Sequence, residues 1–386
     1  MPSYMQMGHD TENLVGEEEL QFKGLILSPV NRYPHELATK LSGMREKGPF
    51  DIVLDSQLYF PKSDRDKLVD YPYFPSDLDT ADFTSESWWS GINKKLAEFS
   101  IALGIDGVTS PAIIPKIFSD EFYLKTVDVA NQLKSMLSKS NVDVLQTAII
   151  DFNSLSSLDG VMKVASILSD TECKKVYLVF ASELAPREEL NGAEELFGAM
   201  KLIKELKNSG KLILVAFCSS EMPLYKCAGA FGCATGKFFN LRRFTKSRFD
   251  EPSGGGGQLP YWFEHGLLAF LRQADILRVR HKGVMQLLEN GFSKSVWSEK
   301  IIEVLSQPGS KAWLAMGWRQ YLSWFSRAEA ELDAGNAISI TSKWLSTADA
   351  NWSKVDENKI FFDERKNNGE WIRSWMQTLD YFENDH

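Results

Sequence analysis

The chain has 386 residues, of which 44% are hydrophobic and 25% are charged. This is the balance of a globular protein with a substantial core, and it excludes a wholly disordered chain. The formal net charge of −9 excludes binding of polyanions through the overall field of the protein, so nucleic acid would need a local basic patch.

Residues 1–22 are polar and acidic, and they predict a flexible N-terminal arm outside the folded domain. They contain no apolar segment of the kind found in signal peptides, and no run of about 18 apolar residues follows, so we expect a cytoplasmic protein without membrane contact. The four cysteines form no CxxC pair and do not cluster with histidine. We therefore expect free thiols, no metal site and no cofactor.

Short apolar segments then alternate with segments of helical periodicity, which is typical of βα units. The predicted strands are residues 24–28, 51–55, 106–110, 143–151, 175–182, 211–218, 231–237 and 258–264. Helical spacing is clearest in residues 86–103, 120–138, 158–170, 194–208 and 266–280. The pattern predicts a (β/α)8 TIM-type barrel over residues 23–280. Because the last two strands are weakly marked, an open doubly wound sheet is the alternative.

Two long connections and a C-terminal region complete the predicted architecture. Residues 56–85 are rich in proline and aromatic residues and predict a packed lid, whereas the glycine-rich residues 251–257 fit a gate or a loose connection equally well. Residues 281–386 predict a helical extension, with one long amphipathic helix over residues 310–335. Eight of the eleven tryptophans lie between Trp297 and Trp375, and we expect them to pack mainly against the barrel.

Polar side chains close most of the predicted strands, and barrel enzymes build their active sites at that face. Four carboxylates are predicted to converge there as catalytic groups: Asp55, Asp151, Glu183 and Glu264. Neighbouring polar residues predicted to bind substrate are Ser56, Gln57, Ser110, Gln146, Asn153 and Ser219. Carboxylates held together have pKa values that move apart, which suits acid and base roles, although an aspartate at such a position can also simply cap a helix.

A basic segment at residues 237–248 contrasts with the acidic chain. It contains Lys237, Arg242, Arg243, Lys246 and Arg248. The segment is not a Walker A loop, because only three residues separate Gly232 from Gly236 and Phe238 stands where a serine or threonine would bind magnesium. Its place late in the barrel predicts an anion site in which Lys237, Arg242 and Arg243 hold a phosphate or a nucleic-acid backbone. Solvated surface charge is the alternative.

Two short motifs give a family resemblance. Leu54-Asp55-Ser56-Gln57, and Ala228-Gly229-Ala230-Phe231-Gly232 leading into Asn240-Leu241-Arg242-Arg243, resemble motifs of the tRNA-guanine transglycosylase superfamily. The resemblance implies a barrel that binds or transfers a guanine or 7-deazaguanine base. Gly232 stands near the position of the family's nucleophilic aspartate, and the family's zinc ligands have no counterpart. The chain is most similar to divergent members of type IV CBASS phage-defence operons, which implies a protein partner from such an operon.

Three functions remain open at this point. The first is a transglycosylase-like enzyme in which Asp55 acts as general acid and base, while Asp151 with Gln146 or Asn153 contacts a purine or deazapurine. The second is a recognition protein that binds a protein partner through residues 56–85 and the tryptophan-rich extension. The third is a glycoside hydrolase that uses two of the four carboxylates.

Overall fold

The computed structural model describes residues 3–62, 66–76, 83–249, 258–287, 291–307 and 312–385. Eight parallel strands form a closed barrel, because the first strand pairs with both the second and the eighth. The strands are β1 (Tyr4–Gln6), β2 (Gly24–Leu27), β3 (Asp51–Leu54), β4 (Gly107–Thr109), β5 (Asp143–Asp151), β6 (Lys175–Ser182), β7 (Leu212–Ala216) and β8 (Gly232–Thr235). The predicted TIM-type barrel is confirmed, and the open doubly wound sheet is excluded.

Helices surround this barrel and continue into the C-terminal extension. The crossover helices are α1 (Pro34–Glu46), α2 (Glu86–Leu103), α3 (Asp120–Met136), α4 (Leu158–Ser169), α5 (Ala193–Asn208) and α6 (Met222–Cys227). A two-residue strand, β9 (Phe244–Thr245), and a hairpin of β10 (Trp262–Glu264) and β11 (Ala269–Leu271) follow. The extension contains α7 (Gln273–Lys282), α8 (Val296–Ser306), α9 (Leu314–Ala334), α10 (Ala337–Glu357) and α11 (Glu370–Asn384). None of the described helices combines the length and the apolar character needed to cross a bilayer.

The first strand of the barrel was not predicted, and the last predicted strand does not belong to the barrel, so the barrel strands are numbered one higher than predicted. Tyr4–Gln6, predicted within a flexible arm, is a fully buried barrel strand. Residues 258–264, predicted as the eighth strand, contribute only β10, which pairs antiparallel with β11 outside the barrel. The barrel therefore spans residues 4–235 instead of 23–280, and the predicted seventh strand is the eighth.

The C-terminal extension replaces the crossover helix that is missing between β1 and β2, where the chain forms a 3-10 helix at Thr11–Leu14. Helix α9 covers this side of the barrel. Phe22 stacks on Phe325 with ring centroids 6.5 Å apart, and Arg319 forms an ion pair of 2.8 Å with Glu17. The extension thus packs on the outside of the barrel. This agrees with the prediction that its tryptophans pack mainly against the barrel.

The three tyrosines of the predicted lid pack inward, whereas Phe60 is exposed. Tyr59, Tyr71 and Tyr73 are buried, and the last two contact Phe99 of α2 at 5.4 and 5.9 Å between ring centroids. The predicted packed character of residues 56–85 is confirmed for these positions. The predicted gate at residues 251–257 lies outside the described residues.

Close packing between α5 and the turn after β5 gives a first testable prediction. A Cβ atom at Gly198 would lie 1.9 Å from the backbone oxygen of Leu155, so Gly198→Ala must push the two elements apart. We expect a loss of about 1–3 kcal/mol in the free energy of unfolding, measured by urea denaturation. Gly91→Ala in α2 is the matched control, since no atom lies within 4 Å of the added methyl group. Gly91→Ala should raise the free energy of unfolding by at most about 1 kcal/mol, because alanine favours a helix more than glycine does. Equal effects of the two substitutions would contradict the close packing at Gly198.

Candidate active site and anion-binding cleft

Asp55 is the centre of a buried hydrogen-bond network at the C-terminal end of β3. The backbone nitrogen of Gln57 donates to Oδ1 at 3.0 Å, and its side-chain amide donates to Oδ2 at 2.6 Å. The Tyr59 hydroxyl donates to both carboxylate oxygens at 2.9 and 3.0 Å. The Tyr177 hydroxyl reaches Oδ2 at 3.3 Å, and it also accepts a hydrogen bond of 3.0 Å from Gln6. The turn after β3 and strand β6 therefore hold this carboxylate directly, and β1 supports it through Tyr177.

Burial controls the protonation of Asp55. The side chain is 0% exposed, and this loss of water raises the pKa of the carboxyl above its ordinary value. The donors on Gln57 and Tyr59, together with the charge of Arg248, oppose the rise. A carboxyl with a raised pKa at the catalytic face of a barrel is suited to acid and base chemistry.

Strand β9 covers this network from the open end of the barrel. It pairs with the C-terminal end of β6, so that Phe244 lies over the barrel axis. The Phe244 ring meets the rings of Tyr59 and Phe217 edge-on at 5.0 and 5.1 Å. Both Gln57 and Phe217 have left-handed backbones, with φ of 57° and 53°. Non-glycine residues in this conformation are strained and occur often at functional sites.

An open cleft of about 690 Å³ lies beside the covered network, at the C-terminal ends of β8, β1 and β2. Its basic side chains are His9, Arg187, Lys237, Arg242 and Arg248. Its aromatic rings are Phe238, Phe239, Tyr261 and Trp318. The described lining contains no aspartate or glutamate, although the net charge of the chain is −9. The cleft is therefore a concentrated positive region suited to an anion.

Three of these five basic side chains already have partners. His9 pairs with Asp10 at 3.0 Å, and Arg187 pairs with Glu364 at 3.3 Å. Arg242 donates to the carbonyl oxygens of Gly236 and Lys237, each at 2.9 Å. Its guanidinium also lies 3.6 Å from the centroid of the Tyr321 ring, and burial lowers its pKa to about 10. Arg242 thus shapes the loop after β8 and adds charge to the cleft.

Lys237 and Arg248 are the two cations of the cleft that have neither an ion pair nor a hydrogen bond within the described chain. Lys237 is 4% exposed, and its Nζ lies 4.7 Å from the ring centroids of both Phe238 and Trp318. The Arg248 guanidinium is 4.7 Å from the Phe217 ring, and its Nη1 atom is buried without a hydrogen-bond partner. Burial lowers the pKa of both side chains. Both offer positive charge to a ligand.

The predicted convergence of four carboxylates is wrong. Glu264 lies in the hairpin β10, where Trp262, Gly266 and Ser293 donate to it and burial raises its pKa to about 7. Glu183 is exposed. Asp151 ends β5 partly exposed, and no described contact joins it to Asp55. Glu264 is misplaced because its strand does not belong to the barrel.

The neighbouring His265 is a structural residue of the extension. It is buried, its Nδ1 accepts a hydrogen bond of 3.0 Å from Trp324, and burial lowers its pKa to about 3. This geometry favours the neutral ring, which adds no charge to the barrel site.

Of the residues predicted to bind substrate, some lie beside Asp55 and others lie away from it. Ser56 and Gln57 lie at the Asp55 network, and the Ser56 nitrogen donates to Thr109 at 3.1 Å. The Ser110 hydroxyl accepts a hydrogen bond of 2.9 Å from the backbone nitrogen of Thr147. Asn153 is exposed. Gln146 alternates with the inward-facing residues Leu145 and Thr147 of β5, and its buried amide faces the surrounding helices without a partner. It is not placed to contact a ligand inside the barrel.

A second buried cluster lies behind the cleft and contains the remaining predicted residues. Arg243 pairs with Glu221 at 3.5 Å, and the Ser219 nitrogen donates to the same glutamate at 3.3 Å. The hydroxyl of Ser220 donates to Glu189 at 2.5 Å. Burial, reinforced by the charge of Glu221, raises the pKa of Glu189 to about 7. Arg243 therefore neutralises these carboxylates and does not line the cleft, although its Nε and Nη1 atoms have no hydrogen-bond partner among the described residues.

Several residues of the site were not among the predicted ones. They are Gln6, Tyr59, Tyr177, Glu189 and Trp318. Tyr59 lies within a segment that was identified, so its spacing from Asp55 could have singled it out. Gln6 was missed because residues 1–22 were predicted to form a flexible arm, whereas Tyr4–Gln6 is a barrel strand. Trp318 reaches the cleft from α9, a contact that local sequence patterns do not report.

Comparison with known proteins assigns no family. No protein-family model matches the chain, and no curated protein matches it. Among solved structures, it is similar to a GH18 chitinase from Pseudoalteromonas aurantia, at 10% identity and a TM-score of 0.40, with 62% of this chain and 95% of that chain covered. A family 2 AP endonuclease from Brucella melitensis has 11% identity and a TM-score of 0.37, with 61% and 92% covered.

A D-tagatose 3-epimerase-like protein has 11% identity and a TM-score of 0.36, with 61% of this chain and 89% of that chain covered. None of these three is a tRNA-guanine transglycosylase. The class of protein is thus a (β/α)8 barrel, as its strand pairing shows. Groups of histidine, cysteine and acidic residues able to hold a metal ion do not occur in the described ranges.

Proposed function

We propose that the protein binds a phosphate-bearing ligand with a planar base of the guanine or 7-deazaguanine type, free or as part of a nucleic acid. The observation that carries this proposal is the cleft itself. Cations and aromatic rings line it together, and its described lining has no carboxylate. This combination is typical of sites that bind a nucleic-acid strand or a nucleotide.

Arg248 and Lys237 are the candidates for the phosphate end. Burial lowers the pKa of both, and neither has a carboxylate within ion-pair distance among the described residues, so binding a phosphate would relieve the cost of their burial. A hydrogen bond to a charged group contributes about 1.5–3 kcal/mol. Loops after the last strands of barrels often bind phosphate, which agrees with the position of Lys237 just after β8.

The aromatic side chains are candidates for the base. Tyr261 meets Phe239 edge-on at 5.1 Å, and Trp318 meets Phe238 edge-on at 5.5 Å. Stacking of a base on such a ring contributes about 1–3 kcal/mol. Because every base has a stacking face, the choice of a guanine-type base rests on the resemblance to transglycosylases.

Transfer of the base is the enzymatic form of this proposal, with Asp55 as general acid and base. Two features support it: the Asp55-Ser56 motif closes a barrel strand, and Arg248 connects the cleft with the Asp55 network electrostatically. Gly232 cannot act as a nucleophile, so the reaction would proceed without the covalent step implied for the family. A role in phage defence, with a protein partner from the same operon, follows from the resemblance alone.

The two alternative functions gain less support. A glycoside hydrolase needs two carboxyl groups across its cleft, and the described lining has none. A recognition surface built on the tryptophans would need them exposed, but Trp313, Trp324 and Trp375 are fully buried. Ligand binding in the cleft is therefore the function that the contacts support best.

Isothermal titration with GMP and with 7-deazaguanosine monophosphate tests this proposal. Arg248→Met should weaken binding by about tenfold to a hundredfold, because one charged hydrogen bond is lost. Affinity should also fall as salt is raised, with a smaller slope in the variant. The control is Lys294→Met, since Lys294 is exposed and lies outside the cleft. Unchanged affinity in Arg248→Met, or no binding of either nucleotide by the wild-type protein, would refute the proposal.

A further inference from the structure

Lys237 has an unusual environment for a lysine. Its side chain is 4% exposed and lines the cleft directly after β8. The rings of Phe238 and Trp318 flank its Nζ, each with a centroid 4.7 Å away. Within the described residues no carboxylate lies within ion-pair distance of this nitrogen, although Lys226, the other buried lysine of this region, has two. The amino group of Lys237 is therefore enclosed, uncompensated and open to a ligand in the cleft.

Such an environment increases the fraction of Lys237 that is present as the free amine. Burial is the largest influence and lowers the pKa of Lys237, and Arg319 lowers it further. Asp10 and Glu12 act in the opposite direction from a distance. A desolvated lysine beside other cations is the usual form of a nucleophilic lysine, because only the free amine carries the lone pair that attacks a carbonyl carbon.

We propose that Lys237 forms an imine with an aldehyde or ketone that also carries a phosphate group. The Nζ lone pair adds to the carbonyl carbon, and the carbonyl oxygen then leaves as water together with the two protons lost by the amine. The result is a C=N bond to Nζ, with no oxidation or reduction. Arg248 is the candidate to hold the phosphate, so this inference rests on the anion-binding part of the proposed function but needs no base on the ligand.

Pyridoxal 5′-phosphate is a suitable probe, because it combines an aldehyde and a phosphate on one flat ring. The full-length protein is incubated with the probe, the imine is reduced with borohydride, and the modified lysines are identified by peptide mass spectrometry. We expect Lys237 to be labelled about tenfold faster than the exposed Lys294, since a cleft of one charge sign concentrates counter-ions by at least that factor. Pyridoxal without the phosphate should lose this preference.

Two variants and a competitor complete the test. Lys237→Arg keeps the positive charge but cannot form the imine, so it should lose the fast label, whereas Lys294→Arg should keep it. Pyridoxine 5′-phosphate, which has the phosphate but no aldehyde, should protect Lys237. Labelling spread evenly over surface lysines, or an unmodified Lys237, overturns the proposal. If Lys237 stays unmodified while nucleotides bind, only the imine is refuted. If Lys237 is labelled while nucleotides fail to bind, only the proposed function is refuted.

Discussion

Replacing Lys226 with methionine is expected to lower the free energy of unfolding by about 3–5 kcal/mol, because it leaves buried carboxylates without their cation. The Lys226 Nζ lies 2.7 Å from Asp333 and 3.4 Å from Glu329, and all three side chains are at most 8% exposed. Glu329 also accepts a hydrogen bond of 2.8 Å from the backbone nitrogen of Cys233 in β8. The cluster therefore fastens α9 to the barrel wall that carries the cleft.

The loss of stability in Lys226→Met is expected to increase as the pH rises. Burial raises the pKa of Glu329 from 4.5 to about 8, and Lys226 opposes that rise. A carboxyl whose pKa is raised in the folded state contributes stability that is present below pH 4.5 and lost as the pH rises through about 8. Without Lys226 the pKa of Glu329 rises further, so the penalty of Lys226→Met should grow above about pH 8.

Urea denaturation at several pH values checks this prediction. The control is Lys163→Met, which removes a lysine from an exposed ion pair with Asp120 and should change the free energy of unfolding far less, because water screens that pair. The double variant Lys226→Met with Glu329→Gln should lose the extra penalty above about pH 8, since the glutamine cannot ionise without its cation. A loss in Lys226→Met that matches the control would show that the buried cluster does not hold α9 in place.

The barrel could be predicted from the sequence because a buried parallel strand is apolar over its whole length. That signal marks β5 and β6 with their observed bounds. The same signal failed at both ends of the domain. Tyr4–Gln6 is too short to stand out, and the run that ends in Trp262–Glu264 is apolar because it packs on α9. A local pattern reports that a segment is buried, but it does not report which element buries it.

The same limit explains which parts of the site could be predicted. Asp55 was predicted because it closes a barrel strand that was identified, and Lys237 because it begins a basic segment in an acidic chain. Glu264 was wrongly added because its strand was placed in the barrel. The cleft itself needs Trp318 and Tyr261 from the extension beside Lys237, and only the folded chain brings these segments together.

Asp55→Asn is expected to abolish base transfer while leaving ligand binding nearly intact. Removing a general acid and base lowers a reaction rate by about 10²–10⁴-fold. The cleft that holds the ligand contains Arg248 and Lys237 but not Asp55, so the affinity for a nucleotide should change little. The substitution turns one oxygen into an NH2 donor that faces the donors of Gln57 and Tyr59, so we expect a loss of about 1–3 kcal/mol in stability.

Exchange of labelled guanine or 7-deazaguanine into an RNA or DNA oligonucleotide measures the transfer, and titration with GMP measures the binding. Asp51→Asn is the matched control, because Asp51 begins the same strand and contacts Tyr4 at the opposite end of the barrel. It should lower stability without lowering the rate of a folded sample. Because Phe244 covers the Asp55 network, transfer also requires β9 to move away from the Tyr59 ring. Wild-type protein that binds nucleotides without exchanging any base would leave the barrel as a binding protein, with Asp55 serving to hold its structure.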